Sequence, residues 1–369
     1  MRTALSIAAC LVLAGCPDRE APKETARPTN SSGTGSPTTL GLVPSASVAK
    51  GPNAPALELA RKAIACKWEA TAPSQDCEDA KAWREARDIF EGGRADAVLV
   101  GLLEDSDDRA RHLGAWNLNV FGERYRTDKA LAERIVLVAE REKSERVAAP
   151  LGAALSRVDV ERTEMFDRVR AIAMKHALLA LRVSLAATLA KNNLASLPAF
   201  TLTLDLVRDS EKDVRAAALG SLWQCSSRRP EETCRVWREN IDRSDDDELA
   251  ARASDYLTWA GACQAHFDAL LDSEEKRFKS GRTNAPAFAK ALGNLCEDVK
   301  ATSTQKARAT DLLKRMVEQK LTQKYVRSSA LEAVMRCDLA GGKAFVQKFS
   351  EDDDPFVKER AHDLLKPKR

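Results

Sequence analysis

The sequence predicts an all-α fold in which antiparallel helix pairs stack into a solenoid. Two features of its composition and one repeated pattern support this prediction. The chain has 369 residues, is rich in Ala and Leu, and contains only 5% aromatic residues. From about residue 56 onward it lacks the alternation of apolar and polar residues that strands show. An acidic turn followed by an amphipathic segment recurs about every 35 residues, which is typical of helical repeat proteins.

The first element is a short apolar leader. The chain carries a positive charge at Arg2 and continues with an apolar run from Ala4 to Gly15. This run is too short to cross a bilayer as a helix, which needs about 20 residues. A basic start, a short apolar stretch and small residues before a cleavage point predict a signal peptide over residues 1–15.

The leader ends in Leu13-Ala14-Gly15-Cys16, which resembles the lipobox of bacterial lipoproteins. The resemblance implies cleavage before Cys16, acylation of its thiol, including palmitate, and lipid anchoring in the cell envelope. Pro17 follows the cysteine where an inner-membrane lipoprotein of enteric bacteria has aspartate, so the resemblance favours the outer membrane. The alternative is an ordinary signal peptide with a chance cysteine.

The second element is a linker. Seven of the 14 prolines lie between Pro17 and Pro55, separated mainly by Ser, Thr, Gly and Ala. No apolar period is present, so this segment cannot bury a core. The sequence predicts a lipidated, disordered tether over residues 16–55, with a reach of roughly 35 Å.

The third element, residues 56–369, is long enough to bury a large core. Charged residues make up 31% of the chain, and the formal net charge is only +3 with both signs mixed throughout. Such a surface has no basic stripe for nucleic acid. We therefore expect no nucleic-acid partner.

The repeat is clearest where residues 105–111 align without a gap on residues 209–215. The acidic residues of these turns should accept hydrogen bonds at the start of a second helix and favour its positive end. One apolar anchor in each repeat should be buried in the second helix. The predicted anchors are Ala110, Val147, Val183, Val214, Ala250, Phe288, Val326 and Val357.

The turn aspartate followed by Val214-Arg215, or by Ala110-Arg111, resembles HEAT repeats. The resemblance implies a right-handed superhelix of the HEAT or ARM type, with residues 56–92 as a divergent pair that caps the stack. An irregular helical bundle is the alternative. In other repeats small residues replace the arginine; these are Ala148, Ser184, Ala251 and Ala289.

Nine cysteines are present, of which Cys10 leaves with the leader. An exported body can keep disulfides. We expect Cys225 to pair with Cys234 and Cys66 with Cys77, because each pair flanks a turn. Cys263 and Cys296 are one repeat apart and could pair, but the sequence leaves this connectivity open. Cys337 would then be unpaired. The alternative for each cysteine is a small buried apolar side chain.

The chain shows no familiar catalytic motif, so we assign no catalytic residue, no cofactor and no metal site. Two alternatives stay open: an envelope hydrolase on a helical scaffold, and a metal- or redox-sensing module at Cys263, His266, Cys296 and Cys337. The six tryptophans are expected mainly in the core.

The expected function is therefore that of a membrane-anchored, non-enzymatic lipoprotein. Its curved helical surface would bind or scaffold a protein partner in the cell envelope. Arg215 and Arg327 are candidate charges on the inner face. The oligomeric state stays open.

Overall fold

A computed structural model describes residues 54–69, 72–243, 246–282, 285–320, 322–338 and 340–366. The predicted signal peptide and Cys16 lie outside the described residues, as does nearly all of the tether. The predictions for them therefore stay predictions.

The described residues form helices and contain no β-strand. The α-helices are α1 (Ala54–Ile64), α2 (Glu78–Glu85), α3 (Arg87–Phe90), α4 (Asp96–Leu103), α5 (Asp108–Phe121), α6 (Lys129–Arg141), α7 (Glu145–Leu155), α8 (Phe166–Lys175), α9 (Leu179–Asn192), α10 (Leu197–Leu206), α11 (Lys212–Ser221), α12 (Pro230–Ile241), α13 (Asp247–Trp259), α14 (Phe267–Lys279), α15 (Pro286–Glu297), α16 (Ser303–Glu318), α17 (Lys324–Cys337), α18 (Gly342–Gln347) and α19 (Pro355–Leu365). Short 3-10 helices cover Glu91–Gly93, Arg124–Arg126, Leu222–Cys225 and Gln264–His266.

From α4 onward the helices form pairs, and each pair packs on the next along the chain. The second helices α5, α7, α9, α11, α13, α15, α17 and α19 contact one another in that order. The first helices α4, α6, α8 and α10 make a parallel row, as do α12, α14 and α16. Contacts that run from neighbour to neighbour define a solenoid. The predicted all-α repeat fold is confirmed.

The apolar anchors lie at one position of the second helices. Seven of the eight predicted anchors are buried, and Val357, Val326 and Val214 each follow the first residue of their helix by two positions. The same position in α9 is Leu181, which is fully buried, whereas the predicted anchor Val183 is only half-buried. The repeat in α9 is therefore shifted by two residues, and its arginine is Arg182.

The acidic turns start second helices, as predicted. Asp107 caps α5 by accepting the backbone N–H of Arg109. Asp246 accepts the N–H of Leu249 at the start of α13. Asp354 caps α19 in the same way. Each carboxylate satisfies an N–H that has no partner within its own helix.

Both ends of the described stack are covered by atypical units. At the N-terminal end, the indole N–H of Trp83 donates to the Leu113 carbonyl (3.2 Å), and the Asn117 amide donates to the Trp83 carbonyl (2.8 Å). These bonds fix α2 on α5. At the other end, α19 exposes Glu359, His362 and other polar side chains. Polar outer faces are what terminal repeats need.

Candidate functional site

A ladder of ion pairs joins successive repeats at the turns. In each case the arginine on one second helix reaches an acidic residue that precedes the next second helix. The pairs are Arg111–Glu142, Arg182–Asp209, Arg215–Asp246 and Arg327–Asp352. The same arginines also donate to backbone carbonyls, as Arg215 does to Asp209 and Ser210.

This ladder corrects one expectation. Arg327 is only 5% exposed, and Arg215 is half-buried against Asp246. Buried arginines that are held by several hydrogen bonds serve the stack rather than a partner. Arg215 and Arg327 are therefore structural residues, not free charges on a binding face.

Three disulfides link six of the seven cysteines among the described residues, and one of them matches the prediction. Cys66 pairs with Cys77 across the segment between α1 and α2. The other two bridges are Cys234–Cys263 and Cys296–Cys337. Both join different parts of the stack, so they fix neighbouring helices to each other.

The predicted Cys225–Cys234 bridge is wrong, because the two side chains face opposite neighbours. The Cys225 thiol lies 3.8 Å from the Ala190 carbonyl of α9, in the preceding repeat. Cys234 lies on α12 and meets Cys263, which follows α13. Cys225 is the free cysteine of the described residues, and burial raises the pKa of its thiol.

The possible Cys263–Cys296 bridge does not form either, and Cys337 is not unpaired. Cys296 on α15 pairs with Cys337 at the end of α17, because these second helices pack along their length. The disulfides engage three of the four residues of the metal-site alternative; the fourth is His266. Among the described residues no group of three or more potential metal ligands comes together.

The tryptophans divide between core and surface. Trp83 and Trp237 are fully buried, as expected. Trp116 is 39% exposed and Trp259 is 58% exposed, although both lie on second helices. An exposed indole ring presents a large apolar surface to water, which solvates it poorly. These two side chains are the clearest departure from the expected core positions.

Trp259 belongs to a compact surface cluster on α13, α15 and the 3-10 helix that follows α11. We call it the Trp259 patch; it comprises Trp223, Asp255, Trp259, Lys290 and Asn294. The rings of Trp223 and Trp259 stack with centroids 5.2 Å apart. The Lys290 ammonium lies 5.5 Å from the centre of the Trp259 ring.

Hydrogen bonds hold the polar part of the patch. Asp255 accepts from Lys290 (2.8 Å) and from the Asn294 amide (3.0 Å). Arg336 on α17 then donates to the side-chain oxygen of Asn294 (3.2 Å). The chain of bonds crosses three second helices and fixes the rotamers around the exposed indole. A preorganised aromatic side chain loses little conformational entropy when it binds.

A sequence signal for this patch exists. Trp223 and Trp259 each lie nine residues after their repeat anchors, Val214 and Ala250. Equal positions in adjacent repeats lie on the same face of the stack. The spacing therefore could have placed the two rings side by side.

The first helices present a different surface, on which charges pair across repeats. Arg134 bonds Glu104, and Arg168 bonds Glu140, each at 2.7 Å. Farther along the stack, Arg308 contacts the acidic residues of α14. Such pairs satisfy their own charges and leave few strong contacts for a partner.

A hydrolase would need two acidic side chains close together. The two described carboxyls whose pKa is raised lie far apart. Burial raises the pKa of Glu274 to about 7 and also raises the pKa of Asp96. Glu274 lies on α14 and Asp96 on α4, five helix pairs apart. Glu274 accepts a hydrogen bond from Ser254 (2.7 Å) inside the core. Its position indicates a structural role.

Comparisons with known proteins identify no relative by sequence. No protein-family model matches the chain, and no curated protein matches it. Among solved structures, the crystal structure of an engineered protein aligns over 84% of this chain and 97% of that chain, with 15% identity and a TM-score of 0.32. A likeness at that level carries no argument about fold or function. No helix in the described part of the chain is long and apolar enough to cross a membrane.

Proposed function

We propose that this chain is a lipid-anchored, non-enzymatic binding protein of the cell envelope. The solenoid would hold a protein partner at the Trp259 patch, and the tether would set the distance from the membrane. The observation that supports the proposal best is the 58% exposure of Trp259 within a bonded cluster. Tryptophan and arginine dominate the energetics of protein interfaces.

The contrast between the two rows of helices supports this choice of surface. The first helices carry charge pairs such as Arg134–Glu104, whereas the second helices carry the exposed indole ring. Truncation of a central interface tryptophan typically costs more than about 2 kcal/mol of binding energy. One exposed ring can therefore dominate affinity.

The anchor is proposed on sequence grounds alone. The leader and its lipobox-like end support acylation of Cys16. Two or more acyl chains give stable anchoring, because each buried CH₂ contributes about 0.8 kcal/mol. We propose the outer membrane rather than the inner membrane, since Pro17 follows the cysteine.

Partner capture tests the binding surface. The chain from residue 17 onward, exported without lipid, is used to recover proteins from native membranes. We expect one envelope protein in near-stoichiometric amount, lost with Trp259→Ala and kept with Trp116→Ala. Trp116 is the matched control, since it is the other exposed tryptophan and lies four helix pairs away. Equal recovery by both variants would contradict the proposal.

Fractionation tests the anchor separately. The full chain should sediment with outer membranes, and its N-terminal peptide should carry the mass of acyl chains on Cys16. Cys16→Ala should release the protein from the membrane fraction. A wild-type N-terminal peptide with an unmodified cysteine would refute lipidation without touching the binding proposal.

A further inference from the structure

A small cleft opens between the first helices α10 and α12, on the side of the stack that bears the paired charges. Its volume is about 150 Å³. The apolar part of its lining consists of Leu204 on α10, Val207 directly after α10, and Val236 on α12. Pockets for cofactors and drug-sized ligands have roughly 300–1,000 Å³. This cleft is the size of one aliphatic side chain.

One polar side chain in the lining lacks a partner. Asn240 is 5% exposed, and its amide nitrogen donates to the Val236 carbonyl of its own helix (2.8 Å). Its carbonyl oxygen is buried and accepts no hydrogen bond from any described residue. A buried acceptor without a donor is costly, so this oxygen favours a ligand that brings an N–H or O–H group.

The charged residues of the lining indicate which second group a ligand would carry. Arg208 and Arg243 contribute two guanidinium groups, and Glu239 contributes one carboxylate. Arg208 is exposed and makes no ion pair within the described chain. Arg208 therefore offers a guanidinium group to an anionic ligand, and guanidinium groups bind carboxylates with two parallel hydrogen bonds.

We propose that this cleft binds the C-terminal residue of a peptide that ends in an aliphatic amino acid. The side chain lies among Leu204, Val207 and Val236, and the backbone N–H of the same residue donates to the Asn240 carbonyl oxygen. The terminal carboxylate pairs with Arg208. A C-terminal residue supplies these three groups around a single Cα atom, which matches a cleft that accommodates one side chain.

The site is separate from the proposed partner surface. The Trp259 patch lies on second helices, whereas the cleft lies between first helices. Trp259→Ala is therefore expected to leave binding at the cleft unchanged. Failure of either proposal can be recognised without the other.

The test uses N-acetyl-L-leucine as the probe and the chain from residue 17 onward without lipid. NMR follows the side-chain amide of Asn240 and the guanidinium Nε–H of Arg208 during titration. We expect saturable shifts at both groups. N-acetyl-L-leucinamide, which lacks the carboxylate, and N-acetyl-N-methyl-leucine, which lacks the N–H, should each bind about tenfold more weakly or worse.

Protein variants provide a second arm. Asn240→Leu keeps the size of the side chain and removes the acceptor, and Arg208→Gln removes the cation. Each variant should weaken the binding of N-acetyl-L-leucine by about tenfold, whereas the control Arg228→Gln should leave it unchanged. An acetylated hexapeptide ending in leucine should bind more tightly than N-acetyl-L-leucine and lose that affinity when amidated.

Several results would overturn the proposal. They are the absence of saturable shifts, equal binding of the acid and its amide by the wild-type chain, and binding that Asn240→Leu leaves intact. The comparison of ligands uses only the wild-type chain, so it decides the question even if a variant fails to fold.

Discussion

Arg182 on α9 forms a buried ion pair with Asp209, the acidic residue that precedes α11, and also donates to the Ala173 carbonyl at 2.9 Å. The two side chains are only 10% and 3% exposed. This contact fixes α9 to the turn of the next repeat, as the equivalent pairs do elsewhere in the ladder.

Removal of one partner should therefore be costly. Arg182→Ala leaves Asp209 buried without its counter-ion, and we expect a loss of about 3–5 kcal/mol in the free energy of unfolding. Lys320→Ala, which removes an exposed pair with Asp353, should leave stability unchanged. Urea unfolding followed by circular dichroism measures both. Similar midpoints for the two variants would contradict a structural role of the ladder.

Glycines on helices should differ according to their neighbours. A Cβ at Gly152 on α7 would overlap the Leu181 carbonyl of α9, whereas a Cβ at Gly101 on α4 would meet nothing within 4 Å. Gly152→Ala should cost about 1–3 kcal/mol, and Gly101→Ala should add up to about 1 kcal/mol. Thermal unfolding of the two variants gives the comparison. An unchanged melting temperature for Gly152→Ala would mean that α7 and α9 pack less closely than described.

The disulfide pattern predicts a thiol count. The oxidised chain from residue 17 onward should show one reactive thiol after denaturation, and Cys225→Ser should show none. Peptide mapping should recover the Cys234–Cys263 and Cys296–Cys337 links. The Cys296–Cys337 bridge has a sequence separation of 41 residues. Its loss should lower the free energy of unfolding by about 2–4 kcal/mol. A recovered Cys225–Cys234 peptide would contradict the structure.

Glu274 should make stability depend on pH. Burial raises its pKa from 4.5 to about 7, against a hydrogen bond from Ser254 and the charge of Arg277, while Asp247 adds to the rise. Because the folded state holds the proton more tightly, stability from this group is fully present below pH 4.5 and is lost as pH rises to 7.

The isosteric variant Glu274→Gln removes that titration. As pH rises from 4.5 to 7, the wild type should lose stability relative to the variant. The difference between their free energies of unfolding should change by about 3 kcal/mol. The difference should become constant only well above pH 7. A difference that does not vary with pH would show that Glu274 keeps an ordinary pKa.

The sequence predicted the helix pairs because anchors such as Val214 and Val326 recur with a regular spacing. It misplaced the repeat in α9 because Leu181 and Val183 are both apolar, and only the start of the helix at Leu179 decides between them. The ion pair of Arg182 was missed for the same reason.

The cysteine pairs and the exposure of the Trp259 ring depend on side-chain direction, which chain separation does not give, although the spacing does indicate that Trp223 and Trp259 are neighbours. Cys225 and Cys234 are close in sequence but face different repeats. The aromatic count favoured a buried position for Trp259, whereas the stacking of α11 against α13 leaves its ring at the surface. Contacts between repeats are long-range information that a single sequence encodes only weakly.

Photocrosslinking in living cells tests the central claim, that the Trp259 patch holds a protein partner, most directly. A benzoylphenylalanine residue replaces Trp259 in one strain and the exposed Lys276 on the first helix α14 in another. We predict one discrete crosslinked envelope protein from position 259 and none from position 276. Crosslinks of equal yield from both positions, or crosslinks from position 276 alone, would contradict the account.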